Sequence, residues 1–132
     1  MTAGLAPSLV SGWLNTLRAA GSAYSAVAAT YVQLHTGDPG AAGTSNISAS
    51  SATRNSATFA ASSSGSALAL SATPSAWTNG GTSETLTHIS VWTASSAGTF
   101  LFSVALTSSK AWASADTFTL NTLGVSLGAQ AA

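Results

Sequence analysis

The chain has 132 residues and no cysteine, so it fits a single domain that folds without disulfides or thiolate metal sites. Charged residues make up 5% of it, against about 25% in an average soluble domain, and three basic and three acidic side chains cancel. Scattered single cations exclude the clustered positive charge that nucleic acid and acidic membrane surfaces require, so we predict neither partner. Zero net charge favours association and therefore a role in an assembly.

The N-terminal segment, residues 1–21, is predicted to form one helix. Its large apolar side chains recur at spacings of three and four residues and share one stripe: Leu9, Val10, Trp13, Leu14 and Leu17. Pro7 and Ser8 are helix-start residues, and Gly21 is a stop signal. Gly12 inside the segment costs about 1 kcal/mol relative to alanine.

Residues 30–128 are predicted to form a β domain. The segments 30–35 and 85–92 alternate in character, and residues 100–106 place Phe100, Phe102, Val104 and Leu106 at a strict period of two. Shorter strands are predicted within 52–60, 67–70, 117–120 and 123–127. Short strands separated by turns are typical of an antiparallel β-sandwich or a jelly-roll-like domain. We therefore expect a single mainly β domain with one N-terminal α-helix.

A dense turn signal, T-G-D-P-G, follows the first strand and places Asp38, Pro39 and Gly40 in a loop. Asp38 is predicted to cap its own turn by accepting a hydrogen bond from a backbone amide two residues on. The alternative is a metal site formed by His35, Asp38 and His88. That set lacks a fourth strong ligand, and a histidine at a strand end is more often polar surface. We predict no metal and no cofactor.

No catalytic constellation is visible in the sequence. The three carboxylates, Asp38, Glu84 and Asp116, have no spacing that pairs them for glycoside hydrolysis. There is no G-x-S-x-G nucleophile elbow either. We expect a protein that is not an enzyme and has no catalytic residues.

Tryptophan is the most informative side chain for contacts. Trp13, Trp77 and Trp112 are candidate interface residues, and the last two lie in small-residue, turn-like settings. Trp92 is expected in the core. The alternative is a platform of exposed rings that stacks on a sugar.

Arg54 is the basic residue for which burial is predicted. We expect it to form a structural ion pair with Asp38 or Glu84. A solvated arginine on a strand is the alternative.

Three segments in this order carry a family resemblance: V-Q-L-H-T-G-D-P-G-A-A-G at 32–43, A-T-R-N-S-A-T-F at 52–59 and L-T-H-I-S-V-W-T-A-S-S-A-G-T-F-L at 86–101. Over residues 31–120 the chain resembles small structural proteins of tailed phages, especially those of actinobacterial hosts, described as minor tail or virion structural proteins. It departs from their pattern at Ile47, where an acidic residue often follows the asparagine, and at Ala52, where an aromatic residue is common.

The resemblance implies a non-enzymatic accessory protein on the virion surface, assembled in the cytoplasm of the bacterial host. We expect a minor tail protein, with a capsid decoration protein as the alternative and a carbohydrate-binding host-recognition module as a second alternative. Its expected partners are other virion proteins and further copies of itself, in a trimer or another ring. A host cell-wall glycan would be the ligand in the second alternative.

Overall fold

The computed structural model of the protein describes residues 3–18, 24–62 and 67–127. One helix and eight strands form in these residues: α1 (Pro7–Thr16), β1 (Thr30–His35), β2 (Asn55–Ala57), β3 (Ala67–Ala69), β4 (Trp77–Thr78), β5 (Glu84–Trp92), β6 (Phe100–Trp112), β7 (Thr117–Phe118) and β8 (Gly124–Ser126). The predicted class, a mainly β antiparallel domain with one N-terminal helix, is confirmed. In this part of the chain no helix is long and apolar enough to cross a membrane.

The main sheet has four antiparallel strands in the order β2-β1-β5-β6. Val32 lies opposite Val91 and Leu34 opposite Ile89, and all four side chains are buried. Two small antiparallel sheets, β3-β8 and β4-β7, complete the fold. Trp77 and Phe118 of the second small sheet belong to the same apolar cluster as the main sheet, so the three sheets share one core.

The chain segment before α1 lies along the outer edge of β6. The Ala6 amide donates to the Leu101 carbonyl (2.7 Å), and the Ser103 amide donates to the Gly4 carbonyl (2.8 Å). Helix α1 begins directly after this contact, with Pro7 in its first turn. The edge contact therefore fixes the entry of the helix and covers part of an edge strand that would otherwise be open.

Helix α1 ends at Thr16, inside the predicted segment, and the predicted stop at Gly21 lies outside the described residues. Leu9 is buried and anchors the helix on the core. Gly12 has a packing reason, since a Cβ at this position would lie 2.3 Å from the ring of Tyr24. Glycine lowers the helix propensity at this position, but its lack of a side chain allows Tyr24 to pack closely against α1.

The first four residues of β6, from Phe100 to Ser103, are all buried, which a period of two does not predict. Val91 pairs with Phe102 and Trp92 pairs with Phe100, so Leu101 has no partner in β5 and forms a β-bulge. Such a bulge changes the direction of the side chains locally. Both faces of this end of β6 are therefore covered.

Candidate functional site

The connection from β1 to β2, residues 36–54, packs against the main sheet and is named here the 36–54 loop. Its Ser48 amide donates to the Leu34 carbonyl (3.0 Å), and Ile47 forms an isolated bridge with His35. Gly43 and Ser48 are buried. The loop thus pairs with the edge of β1 beyond the residues that β2 pairs with.

The predicted turn at Asp38 forms as expected: its Oδ1 accepts a hydrogen bond from the Gly40 amide at 2.8 Å. The Asn46 side-chain amide donates to the Asp38 carbonyl (2.8 Å), and the Ser45 amide donates to the Pro39 carbonyl (2.9 Å). Pro39 is buried. The turn is therefore packed within the loop.

His35 lies in the core beneath this loop, with 0% of its surface exposed. Its Nδ1 is 2.8 Å from the Ser45 carbonyl, which can only accept, so Nδ1 carries the proton. Its Nε2 is 2.7 Å from Ser90 Oγ, which itself accepts a hydrogen bond from the Trp92 indole (2.8 Å). A hydroxyl oxygen can accept two hydrogen bonds, so the roles of Ser90 and Nε2 follow from the protonation state of the ring: with neutral His35, Ser90 donates to Nε2.

The environment of His35 favours this neutral form. Burial lowers the pKa of His35, and the positive charge of Arg54 acts in the same direction. The prediction that His35 is polar surface is wrong. Both ring nitrogens are engaged in hydrogen bonds, so His35 offers no lone pair to a metal ion. In the described ranges no three His, Asp or Glu side chains form a group that could hold one.

Arg54 closes the other end of the loop. Its Nε donates to Gln33 Oε1 (3.1 Å), and its Nη1 donates to the carbonyls of Ala94 (3.2 Å) and Ala97 (2.6 Å). The guanidinium carbon lies 3.8 Å from the ring centroid of Trp92, in the geometry of a cation–π contact. Arg54 therefore joins the end of the loop to β1 and to the turn after β5.

These hydrogen bonds of Arg54 go to neutral groups, and the predicted ion pair with Glu84 does not form. Strand geometry gives the reason for Glu84: it begins β5, whereas Arg54 lies over Trp92 at the other end of that strand. A strand of this length separates its ends by about 26 Å. The carboxylate of Glu84 instead accepts a hydrogen bond from Ser48 Oγ.

Gly43 sits where the loop touches the sheet. Its φ is +73°, and a Cβ added there would lie 2.5 Å from the ring of buried Phe100. Phe100 in turn packs on Trp92, with ring centroids 5.5 Å apart. The glycine is therefore required both for the backbone conformation and for the close approach.

We expect Gly43→Ala to lower the free energy of unfolding by about 2–3 kcal/mol, because left-handed strain and overpacking add. Urea unfolding followed by circular dichroism measures this loss. Gly4→Ala is the matched control, since Gly4 has no atom within 4 Å of an added Cβ and its φ lies outside the left-handed range. Equal stability of the two variants would contradict the packing of the loop on Phe100.

The structure buries two of the three tryptophans that the sequence offers as interface candidates. Trp77 is 2% exposed and Trp112 is 0% exposed, so both are core residues of this chain and not available as surface contacts. Their indole nitrogens donate to the carbonyls of Thr53 (2.9 Å) and Asp116 (3.0 Å). Because these hydrogen bonds satisfy the indole N–H groups, both tryptophan side chains can be buried although they lie in turn-like segments of the sequence. Trp13 is half-buried and is the one of the four that still reaches the surface.

Among the described residues, the most exposed large apolar side chains lie in helix α1 and in the residue that directly follows it. Leu14 is 61% exposed and Leu17 is 81% exposed. Val10 precedes them on the same side of the helix and is partly exposed. Val10, Leu14 and Leu17 are named here the α1 stripe.

Comparison with known families decides the class of the protein. The family described as podophage GP4 fiber I protein gp80 matches residues 7–128. The chain belongs to this family. No curated protein matches the chain.

Membership in the gp80 family makes the protein a structural component of a bacteriophage virion. The predicted resemblance to phage structural proteins is confirmed at this level. The restriction to actinobacterial hosts and the L-H-T-G-D-P-G motif stay predictions. The gp80 match includes the 36–54 loop and all of α1.

Sequence reasoning missed the buried polar face of the sheet. Gln33, His35 and Ser90 are all buried, and each polar side chain has hydrogen-bonding partners. The available signal was the L-H-T-G-D-P-G block itself, which packs turn-forming residues directly against a strand. A long loop with that density of turn residues is able to fold back over the strand it follows.

Proposed function

We propose that this protein is a non-enzymatic minor tail protein of a phage, present in the virion as several identical copies. The observation that carries the proposal is the match to a fiber protein family over residues 7–128. Fibers project from phage particles and act through shape and contact surface. Its partners are other virion proteins, and it is assembled with them in the cytoplasm of the host.

The use of the carboxylates supports a role without catalysis. Asp38 holds the Gly40 amide, Glu84 accepts from Ser48, and Asp116 Oδ2 accepts from the Ala113 amide (3.3 Å). Asp38 and Asp116 hold backbone amides of their own turns, and Glu84 ties the start of β5 to the 36–54 loop. A catalytic site needs convergent polar groups around a substrate.

The burial of the aromatic rings argues against a sugar platform. Binding of a cell-wall glycan through Trp77 or Trp112 would require these rings to leave the core. Each ring would lose its indole hydrogen bond and its apolar contacts, at a cost of about 3–5 kcal/mol. Contact through shape is therefore the better-supported role.

Gold-labelled antibody raised against the purified chain tests the location on intact particles of the parent phage. We expect label confined to the tail, because the family is described as a fiber protein. Serum absorbed with the purified protein is the control and must leave the particles unlabelled. Label spread over the head shell would overturn the tail assignment and make the protein a capsid decoration protein.

A further inference from the structure

Helix α1 buries one side and leaves the other apolar side uncovered. Leu9 and Trp13 face the core, and the α1 stripe lies on the remaining surface. Two leucines more than half exposed leave apolar surface in water that a contact would bury. Single exposed apolar residues are ordinary, but adjacent ones on one helix face mark a contact surface.

An apolar groove lies beside the helix. It has a volume of about 270 Å³ and is lined chiefly by hydrophobic side chains, among them Leu5, Trp13, Val27, Leu68 and Val125. Leu68, in β3, is itself 39% exposed. The stripe and the groove share the helix and are named together here the α1 surface.

The chemistry of the α1 surface selects its partner. Helix α1, P-S-L-V-S-G-W-L-N-T, contains no charged residue, and none of the side chains lining the groove is charged. Arg18, directly after Leu17, is exposed and charged, so two copies meet least like-charge repulsion when their helices run antiparallel and keep the two cations apart. Positions 10, 14 and 17 also have the spacing of a helix-pairing seam, which is complementary to itself.

We propose that the α1 surface is covered by the α1 surface of a second copy of this chain. The inference rests on the proposed role as a repeated virion component and adds to it the surface through which copies meet. An isologous contact of this kind places each stripe against the partner's stripe and groove.

The size of the surface limits the strength of the contact. A helix of ten residues presents a face about 15 Å long and about 10 Å wide. A stable interface buries about 800 Å² per partner, so the groove wall must take part as well as the stripe. We therefore expect association that depends on concentration rather than a permanent complex.

Sedimentation velocity of the purified full chain over a wide concentration range tests the inference. The wild type is expected to shift from monomer to oligomer as concentration rises. The double substitution Leu14→Ser/Leu17→Ser should raise the dissociation constant by roughly a hundredfold, since each buried leucine is worth about tenfold or more. Circular dichroism verifies that the variant is folded, which is expected because Leu9 still anchors the helix.

Asn15→Ser is the matched control, because Asn15 is an exposed residue of the same helix away from the stripe. It should associate as the wild type does. A monomeric wild type at the highest concentration, or a folded double variant that associates unchanged, would overturn the inference. If the inference failed in this way but the antibody labelled the tail, the proposed function would stand. If the chain associated as expected but the antibody did not label the particles, the inference would stand and the proposed function would fail.

Discussion

Replacing Trp112 by alanine is expected to lower the free energy of unfolding by about 3–5 kcal/mol. The side chain is fully buried and belongs to the core cluster shared by the three sheets. Its removal loses the apolar contacts, leaves a cavity and deprives the Asp116 carbonyl of the indole donor at 3.0 Å. A domain of this size has a total stability of about 5–15 kcal/mol, so the loss is a large fraction of it.

Urea unfolding measured by circular dichroism gives the size of the effect without relying on the removed fluorophore. Trp112→Phe separates the two contributions, since it keeps most of the apolar volume and loses the hydrogen bond; a loss of about 1–2 kcal/mol is expected. Trp13→Ala is the comparison at a half-buried site. If Trp112→Ala cost no more than Trp13→Ala, the core position would be refuted and the interface role predicted from the sequence would return.

Apolar periodicity predicted the strands that face the core on one side. Val32 and Leu34 in β1 and Ile89 and Val91 in β5 alternate as expected and pair across the sheet. Short strands were located within their predicted windows, as for Asn55–Ala57 inside 52–60. Strand β4 was not predicted, because two residues ahead of an Asn-Gly-Gly turn carry no periodicity.

The second face of the sheet could not be predicted from periodicity. A polar residue at alternate positions normally indicates solvent, and His35 fits that pattern. Its burial depends on partners 10 and 55 residues away, the Ser45 carbonyl and Ser90 Oγ. Local sequence does not identify such long-range partners: the L-H-T-G-D-P-G block indicates a loop that can fold back, but neither the contacts of that loop nor the neutral contacts of Arg54 could be derived.

The same burial makes stability sensitive to mild acid. Burial lowers the pKa of His35 below its ordinary value of 6.5, so the unfolded chain binds a proton at a higher pH than the folded protein does. The stability from neutral His35 is therefore complete above pH 6.5 and declines as the pH falls toward the folded pKa. In this range the free energy of unfolding is expected to fall by up to about 1.4 kcal/mol per pH unit.

The hydrogen bonds explain why protonation is unfavourable here. A protonated Nε2 could no longer accept from Ser90, so the hydroxyl would have to rotate and accept from Nε2 as well as from the Trp92 indole. The cationic ring would also lie near the charge of Arg54. Acid is therefore expected to loosen the 36–54 loop, which is tied to the ring through the Ser45 carbonyl.

Urea unfolding between pH 8 and pH 4.5 measures this dependence in the wild type, in His35→Gln and in His88→Gln. His35→Gln should be less stable at neutral pH and should lose most of the slope between pH 6.5 and the folded pKa, because glutamine does not titrate. His88→Gln is the comparison: His88 lies opposite His35 and its charge also lowers the pKa of His35, so the slope should persist in this variant over a narrower pH range. If the pH dependence of stability persisted in His35→Gln and vanished in His88→Gln, His88 and not His35 would cause the acid sensitivity. That result would contradict the neutral, buried role of His35.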